Sequence, residues 1–335
     1  MNWDKLAFDY VKCNTMVCSF NKGDGWSPLE SRTNDKYEIT LMSGSLHYAI
    51  EIFEGLKAYN GRDGKIRIFR PGENAVRMIR SAEFLGMPPV PEEMFTEAVT
   101  RAVAENREFI PPYESGASMY IRPFMISTNP QLTLELGKEF MFVVAVTPTG
   151  NFTGTSFNPT KALLVRDHDR AAPLGTGSYK IGANYAASML AGVQAKKEGY
   201  PSILYLDSKE KKYIDEFSSS NFFAIRDNSY ITPDSPSILP SITNKSLREI
   251  ASQMGMTVEH RPVPVEELAT FDEAGACGTA LVITPVHEIY DRERDIRYNI
   301  GSPVRVGDKS RGLYKHLTGI QFGEIEDSFG WCRIL

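Results

Sequence analysis

The sequence predicts a mixed α+β protein of two domains, and three observations predict it. Short β-branched and aromatic runs alternate with helical periods, so strands and helices interleave. Many of these runs are joined by tight turns, which argues for antiparallel or mixed sheets with helices packed outside. Residues 147–159, TPTGNFTGTSFNP, are rich in Gly, Pro, Thr and Asn and carry no hydrophobic period, and 335 residues suit two domains. The expected division is a smaller first domain over residues 1–150, a linker over 151–160 and a larger second domain over 161–335.

Taken in order, residues 1–45 look irregular, broken by Asn21, Gly23, Asp24, Gly25 and Pro28. Residues 45–59, SLHYAIEIFEGLKAY, read as a strand or strand pair. NGRDGK at 60–65 is a hairpin turn, because Asn-Gly and Asp-Gly supply positive φ at little cost, and 66–69 form the return strand. Pro71 and Gly72 stop it, and a helix runs over 73–85 until Gly86 and two prolines. A second helix spans 91–109, with Phe95, Val99, Ala102 and Val103 on one stripe. Strands follow at 117–127, 139–146 and 161–166. Residues 184–197 are helical, with Tyr185, Met189 and Val193 spaced to share a face. Strands are expected at 202–206, 213–225, 230–232, 258–263 and 280–290. Helices are expected at 243–254, capped by Thr243 or Asn244 and stopped by Gly255, at 264–273 and at 307–317.

Composition narrows the function. Hydrophobic content of 42% and charged content of 24% are ordinary for a globular protein with a large core. A net charge of −5 argues against binding a nucleic-acid backbone. No apolar run approaches a membrane span, and the charged, alternating start MNWDKLAFDYVK is no signal peptide. Four scattered cysteines and five histidines form neither a disulfide framework nor a zinc set. A cytoplasmic protein without membrane or structural metal is expected.

The chemistry centres on residues 171–195, AAPLGTGSYKIGANYAASMLAGVQA, where Lys180 is the only charged residue. Small and apolar neighbours strip hydration from an amine and lower its pKa. Such a lysine attacks carbonyls and forms Schiff bases. Alone, the window reads more simply as a surface turn, so the rest of the chain has to decide. Arg77 begins a helix after FRPGEN and suits a phosphate or carboxylate, though Arg70 and Arg80 suit it equally on spacing. Tyr120, Arg122 and Phe124 alternate along a strand and share a face. Tyr48 and Phe53 are pocket walls or core aromatics. Glu216, in YIDEFSSSNFF, could pair with a ligand nitrogen or simply charge an edge strand. Ser241, Ile242 and Thr243 precede a helix, and Gly278, Thr279 and Ala280 form a turn; both places offer N–H groups to an anion. One lysine, one acid and several anion-holding turns make the list that pyridoxal 5′-phosphate requires.

LHYAIEIFEGLKAY, IRIFRPGENAVRMIRSA, YIRPF, YKIGANYAASMLAGVQAKKEGY, YIDEFSSSNFF, LPSITNKS and GTALVITPV, in that order, resemble the branched-chain amino acid aminotransferases, which are fold-type IV pyridoxal-phosphate enzymes. The resemblance runs from about Ser43 to the C-terminus. It implies an N-terminal α/β sandwich, a C-terminal mixed-sheet pseudo-barrel and a homodimer. It makes Lys180 the lysine that joins the cofactor, Tyr185 the partner of its phenolate oxygen and Glu216 the acid at its pyridine nitrogen. Arg77, Ile242, Thr243 and Thr279 become the phosphate holders. Tyr48, Phe53, Tyr120 and Arg122 become the substrate pocket, with Thr279 and Ala280 at the substrate α-carboxylate. The implied reaction moves an amino group between Leu, Ile or Val and 2-oxoglutarate. A D-amino-acid aminotransferase or an aminodeoxychorismate lyase would share the same core. The sequence departs from the family at Ala183, where many members have glycine, and at the triple serine 218–220. Leu281 and Thr284 stand where mammalian members carry a cysteine pair, so thiol control is not expected.

Overall fold

The computed structural model describes residues 1–150 and 157–335, apart from the side chain of Asp4. The expected linker therefore lies, over residues 151–156, outside the described residues. In chain order the elements are β1 (Met16–Asn21), β2 (Glu30–Arg32), α1 (Gly44–Tyr48), β3 (Glu51–Phe53), β4 (Leu56–Asn60), β5 (Ile66–Phe69), α2 (Pro71–Phe84), α3 (Glu92–Glu105), β6 (Ser118–Ser127) and β7 (Phe140–Thr149). They continue with β8 (Thr160–Val165), α4 (Gly182–Ala187), α5 (Met189–Lys197), β9 (Ser202–Leu206), β10 (Ile214–Phe217), β11 (Asn221–Arg226), β12 (Ser229–Pro233) and α6 (Ile242–Gln253). The last are β13 (Thr257–Arg261), β14 (Glu273–Gly278), β15 (Val282–Asp291), β16 (Ile296–Asn299), α7 (Asp308–Phe322) and β17 (Cys332–Ile334).

Packing divides the chain into two units. The first comprises Met1–Phe152, Tyr179–Gly182 and Gly319–Leu335; the second comprises Thr153–Ser178 and Ala183–Thr318. This differs from a division at a single linker. The C-terminal segment joins the first unit because β17 pairs antiparallel with β5, Cys332 opposite Phe69. Trp331 also packs edge-on against Phe69 and lies under the Arg70 guanidinium. Tyr179–Gly182 joins it because Ile181 forms a bridge with Ile52, and Tyr179 stacks on Phe84 at 4.0 Å.

The first unit holds one sheet in the order β17-β5-β4-β6-β7-β1-β2, with β3 paired to β6. Every pair along it is antiparallel. The expected NGRDGK turn joins β4 to β5, and Gly64 takes φ 76° there. Ala75, Met78 and Ala82 of α2 and the expected α3 stripe bury against Leu56, Ile68, Ile121 and Phe142. Each large side chain buried in this way contributes about 1.5–3 kcal/mol. In the second unit β10, β9, β8, β15, β14 and β11 pair in a ring closed by β10–β11, a barrel-like sheet. Leu164, Leu204, Phe217, Phe222, Val286 and Ile289 pack within its core. The fold is therefore the mixed α+β arrangement with a pseudo-barrel that the sequence predicts.

Several local expectations change: residues 1–45 hold β1 and β2, the strand expected over 213–225 is the β10–β11 hairpin, and the helix expected over 264–273 is a 3-10 segment over Val265–Thr270 followed by β14. Residues 44–48 form a short helix, not a strand: Ser43 caps it by accepting from the Ser45 amide, and Ala49 ends it at φ 54°. The expected face of Tyr185, Met189 and Val193 is not the buried one, since Met189 is 69% exposed and Val193 51%. Ala191 and Ala195 bury instead, against Leu163, Ile203 and Tyr205, because small side chains let the helix approach the sheet closely. The cap of α6 is Ser241, whose Oγ accepts from the Asn244 amide, in place of Thr243 or Asn244.

Candidate active site

Lys180 is held by its backbone. Its N–H donates to Ser81 Oγ on α2 at 3.0 Å, and its carbonyl accepts from Phe53 N on β3 at 3.1 Å. The residue keeps partial exposure, yet its Nζ lies 4.7 Å from the centre of the Phe53 ring. Lost hydration pushes this amine down to about 8; the Arg77 and Arg122 charges lower it further, while Glu54 and Tyr120 oppose them. Its neutral, nucleophilic fraction near pH 7 far exceeds that of an ordinary lysine.

β6 places Tyr120 and Arg122 on one face, as the alternation requires, while Met119, Ile121 and Met125 enter the core. The Arg122 guanidinium sits 4.8 Å over Phe53 and 5.2 Å over Tyr120, and its Nη2 donates to the Tyr120 hydroxyl at 3.1 Å. Arg122 Nε is buried, with no hydrogen-bond partner among the described residues. Gly55 is required here, because a Cβ would collide with the Tyr120 hydroxyl. Lys180, Phe53, Tyr120 and Arg122 are thus brought together within the first unit, an aromatic surface carrying two cations.

Arg77 resolves the three-arginine ambiguity. Arg80 is exposed, and Arg70 pairs with Glu73. Arg77 turns inward and grips Glu54 with Nε and Nη2, each at 2.7 Å. Glu54 is fully buried, and also accepts from Asn74 Nδ2 at 2.7 Å and from Gly55 N at 3.2 Å. An anion at Arg77 would therefore meet a guanidinium whose charge is already matched.

Glu216 lies buried on β10 in the second unit. Its Oε1 accepts from Leu239 N at 3.0 Å and lies 3.0 Å from Arg170 Nη2; its Oε2 accepts from Asn221 Nδ2 at 2.6 Å. Burial pushes the carboxyl up, and Arg170, Leu239 and Asn221 pull it back. The triple serine closes the β10–β11 hairpin, with Phe217 N donating to Ser220 O at 2.9 Å. Asn221 Oδ1 accepts from Asn244 of α6 at 3.2 Å, which ties Glu216 to the start of that helix. There the amides of Ile242 and Thr243 have no acceptor among the described residues. Thr279 and Ala280 form the turn from β14 to β15, and Gly278 at its start neighbours Ser220. Val282, just beyond, is held at φ 59°, in the left-handed region. Glu216, both anion-holding turns and the serine turn thus cluster within one unit.

Tyr48 and Tyr185 complete the expected set. Tyr48 ends α1 at the surface, 37% exposed, its hydroxyl donating to Leu132 O at 2.5 Å. Its described contacts do not join it to Phe53 or Arg122. Tyr185 is half-buried on α4 of the second unit. The sequence reading missed Glu54, Lys57 and Arg170. Lys57 is 4% exposed, pairs across strands with Tyr120, and is pushed down to about 8 by burial. For Glu54 and Lys57 the available signal was a charge inside the apolar run EIFEGLKAY, which folding buries at a cost; Arg170, at the end of the charged stretch RDHDR, carries no such signal.

Known proteins share this architecture. Residues 51–289 match the model of the amino-transferase class IV family. A branched-chain-amino-acid aminotransferase of Haemophilus influenzae is 42% identical over 99% of this chain and 98% of its own. The crystal structure of the Escherichia coli branched-chain amino acid aminotransferase superposes with a TM-score of 0.79 at 26% identity, covering 96% of this chain and 99% of that one. The branched-chain aminotransferase of the archaeon Thermoproteus uzoniensis, solved with norvaline, gives 0.77 at 26% identity, covering 96% and 99%. With a family model spanning most of its length and a full-length relative at such identity, the chain belongs to the class IV aminotransferases.

Proposed function

We propose that the protein is a branched-chain L-amino acid aminotransferase that uses pyridoxal 5′-phosphate and 2-oxoglutarate. The observation that supports this most is the Lys180 amine, depressed to about 8, over Phe53 and beside Arg122. The donor set fits the cofactor: a nucleophilic amine, a buried acid with acceptor capacity left, and unpartnered amides opening α6. When bound, the cofactor would supply an aldehyde for an amine and a protonated ring as electron sink.

Lys180 would hold the cofactor through its amine and would serve the substrate's α-proton first as base and then as acid. Glu216 would accept from the ring nitrogen, and Tyr185 would donate to the phenolate oxygen. Arg77, Thr279 and the amides of Ile242 and Thr243 hold the phosphate. Phe53 takes the branched side chain, while Arg122 with Tyr120 and Tyr48 takes the distal carboxylate of glutamate. Thr279 and Ala280 receive the α-carboxylate. A cytoplasmic homodimer belongs to the same reading, and sedimentation of the purified protein tests the oligomer.

The test is transamination of L-leucine with 2-oxoglutarate. Wild type should be yellow and active, and Lys180→Ala inactive; activity with D-alanine but not L-leucine would overturn the substrate class. Arg122→Ala should harm the glutamate and 2-oxoglutarate reactions more than leucine turnover with a neutral 2-oxo acid. Equal losses would refute this division.

A further inference from the structure

Arg170 has no role in the reaction as described, yet it is 7% exposed and sits among the acids of the second unit. Its Nη2 lies 3.0 Å from Glu216 Oε1, donates to Gly177 O at 3.1 Å, and also donates to the Ser237 carbonyl. Gly177 makes room for it, since a Cβ there would meet Arg170 Nη2 at 2.8 Å and collide with the Ser237 carbonyl. Ser237 in turn donates from Oγ to Asp215 Oδ2 at 2.6 Å. Two neighbouring carboxyls, Asp215 and Glu216, are 2% and 3% exposed, and both are pushed up chiefly by burial. Only Glu216 touches the guanidinium directly.

Counting lone pairs shows what this contact does. Each carboxylate oxygen offers two. Oε1 of Glu216 accepts from Leu239 N and faces the Arg170 charge at 3.0 Å, and Oε2 has spent one lone pair on Asn221. One acceptor position on Oε2 remains. We propose that Arg170 is a positioning residue that keeps Glu216 a carboxylate with that Oε2 lone pair open, so that the ring nitrogen it meets keeps its proton. This rests on the role of Glu216 given above. A buried acid without the guanidinium would favour its neutral form. It would then donate a proton to the ring nitrogen's lone pair instead of accepting from N–H, and the ring would lose its positive charge.

The experiment follows the ring nitrogen itself. Holoenzyme is prepared with pyridoxal phosphate ¹⁵N-labelled in the ring, as wild type, Arg170→Met, Arg170→Lys and Glu216→Gln, and the ¹⁵N shift is followed with pH. Wild type should stay at the protonated position across neutral pH. Arg170→Met should move toward the unprotonated position that Glu216→Gln defines, and Arg170→Lys should fall between. The single-turnover rate with L-leucine should drop in the same order, roughly ten-fold for each pH unit by which the ring loses its proton earlier. An Arg170→Met ring that stays protonated like wild type overturns the proposal. If Arg170→Met does not fold, Arg170→Lys decides, and a titration identical to wild type overturns it. A wild type that binds no cofactor would instead overturn the function proposed above, so the two failures are distinct.

Discussion

Among the buried arginine–carboxylate pairs, Arg77–Glu54 and Arg170–Glu216 are built differently. Arg77 and Glu54 meet through two nitrogens and two oxygens, with Asn74 and Gly55 adding donors to the same carboxylate. Arg170 meets Glu216 through one nitrogen and shares that nitrogen with two carbonyls. A buried charge is costly unless paired and hydrogen-bonded. The first pair meets that cost with four donors on the Glu54 carboxylate. The Glu216 carboxylate has fewer donors, and one Oε2 lone pair stays open to a further one.

This contrast predicts opposite outcomes for one substitution made twice. Glu54→Gln strands the Arg77 charge and should cost about 3–5 kcal/mol of stability, read by urea unfolding of the cofactor-free protein. A loss no larger than the roughly 1 kcal/mol of a surface ion pair would erase the distinction. Glu216→Gln should leave cofactor-free stability within about 1 kcal/mol of wild type. It should lower turnover by about 10²–10³, the scale of one preorganised electrostatic group. A variant that melts early yet turns over normally when folded would reverse the two roles. Lys57 sharpens the comparison as a third buried cation. Its amine is held at about 8 by burial against an ordinary 10.5. Between these values the unfolded chain binds the extra proton, so stability rises with pH across that window. A shift of that size corresponds to about 3 kcal/mol. Lys57→Met should remove this share of the rise, whereas equal pH slopes in wild type and variant would show that Lys57 is charged without penalty.

The NGRDGK turn, most of the strands and α2 and α3 were legible because their signals are local, whereas β1, β2 and β14 were not. Asn-Gly and Asp-Gly fix a hairpin wherever they stand, and the α3 stripe repeats within a few turns. α1 was not legible, because LHYAIEIF has strand composition while its helix depends on Ser43 and a left-handed Ala49. The single helix expected over 184–197 is two, α4 and α5, and the face of α5 that packs is set by the neighbouring strands, which admit Ala191 and Ala195. Within the site, Lys180 stood out as the one charge in a small-residue window, and YIRPF showed its alternation. The pairings did not stand out. Nothing near Arg77 points to Glu54, which is 23 positions away, and nothing near Arg170 points to Glu216. Three arginines of equal local merit become distinct only when α2 has a sheet to turn against.

Val282 carries a last consequence. A branched residue in backbone territory that suits glycine stores about 1–3 kcal/mol, and it does so immediately after Thr279 and Ala280. The side chain is itself 8% exposed, so a glycine there would relax the backbone and forfeit packing together. Whoever redesigns that corner for a bulkier or smaller guest works against a loaded spring, and will find its shape harder to edit than its residues suggest.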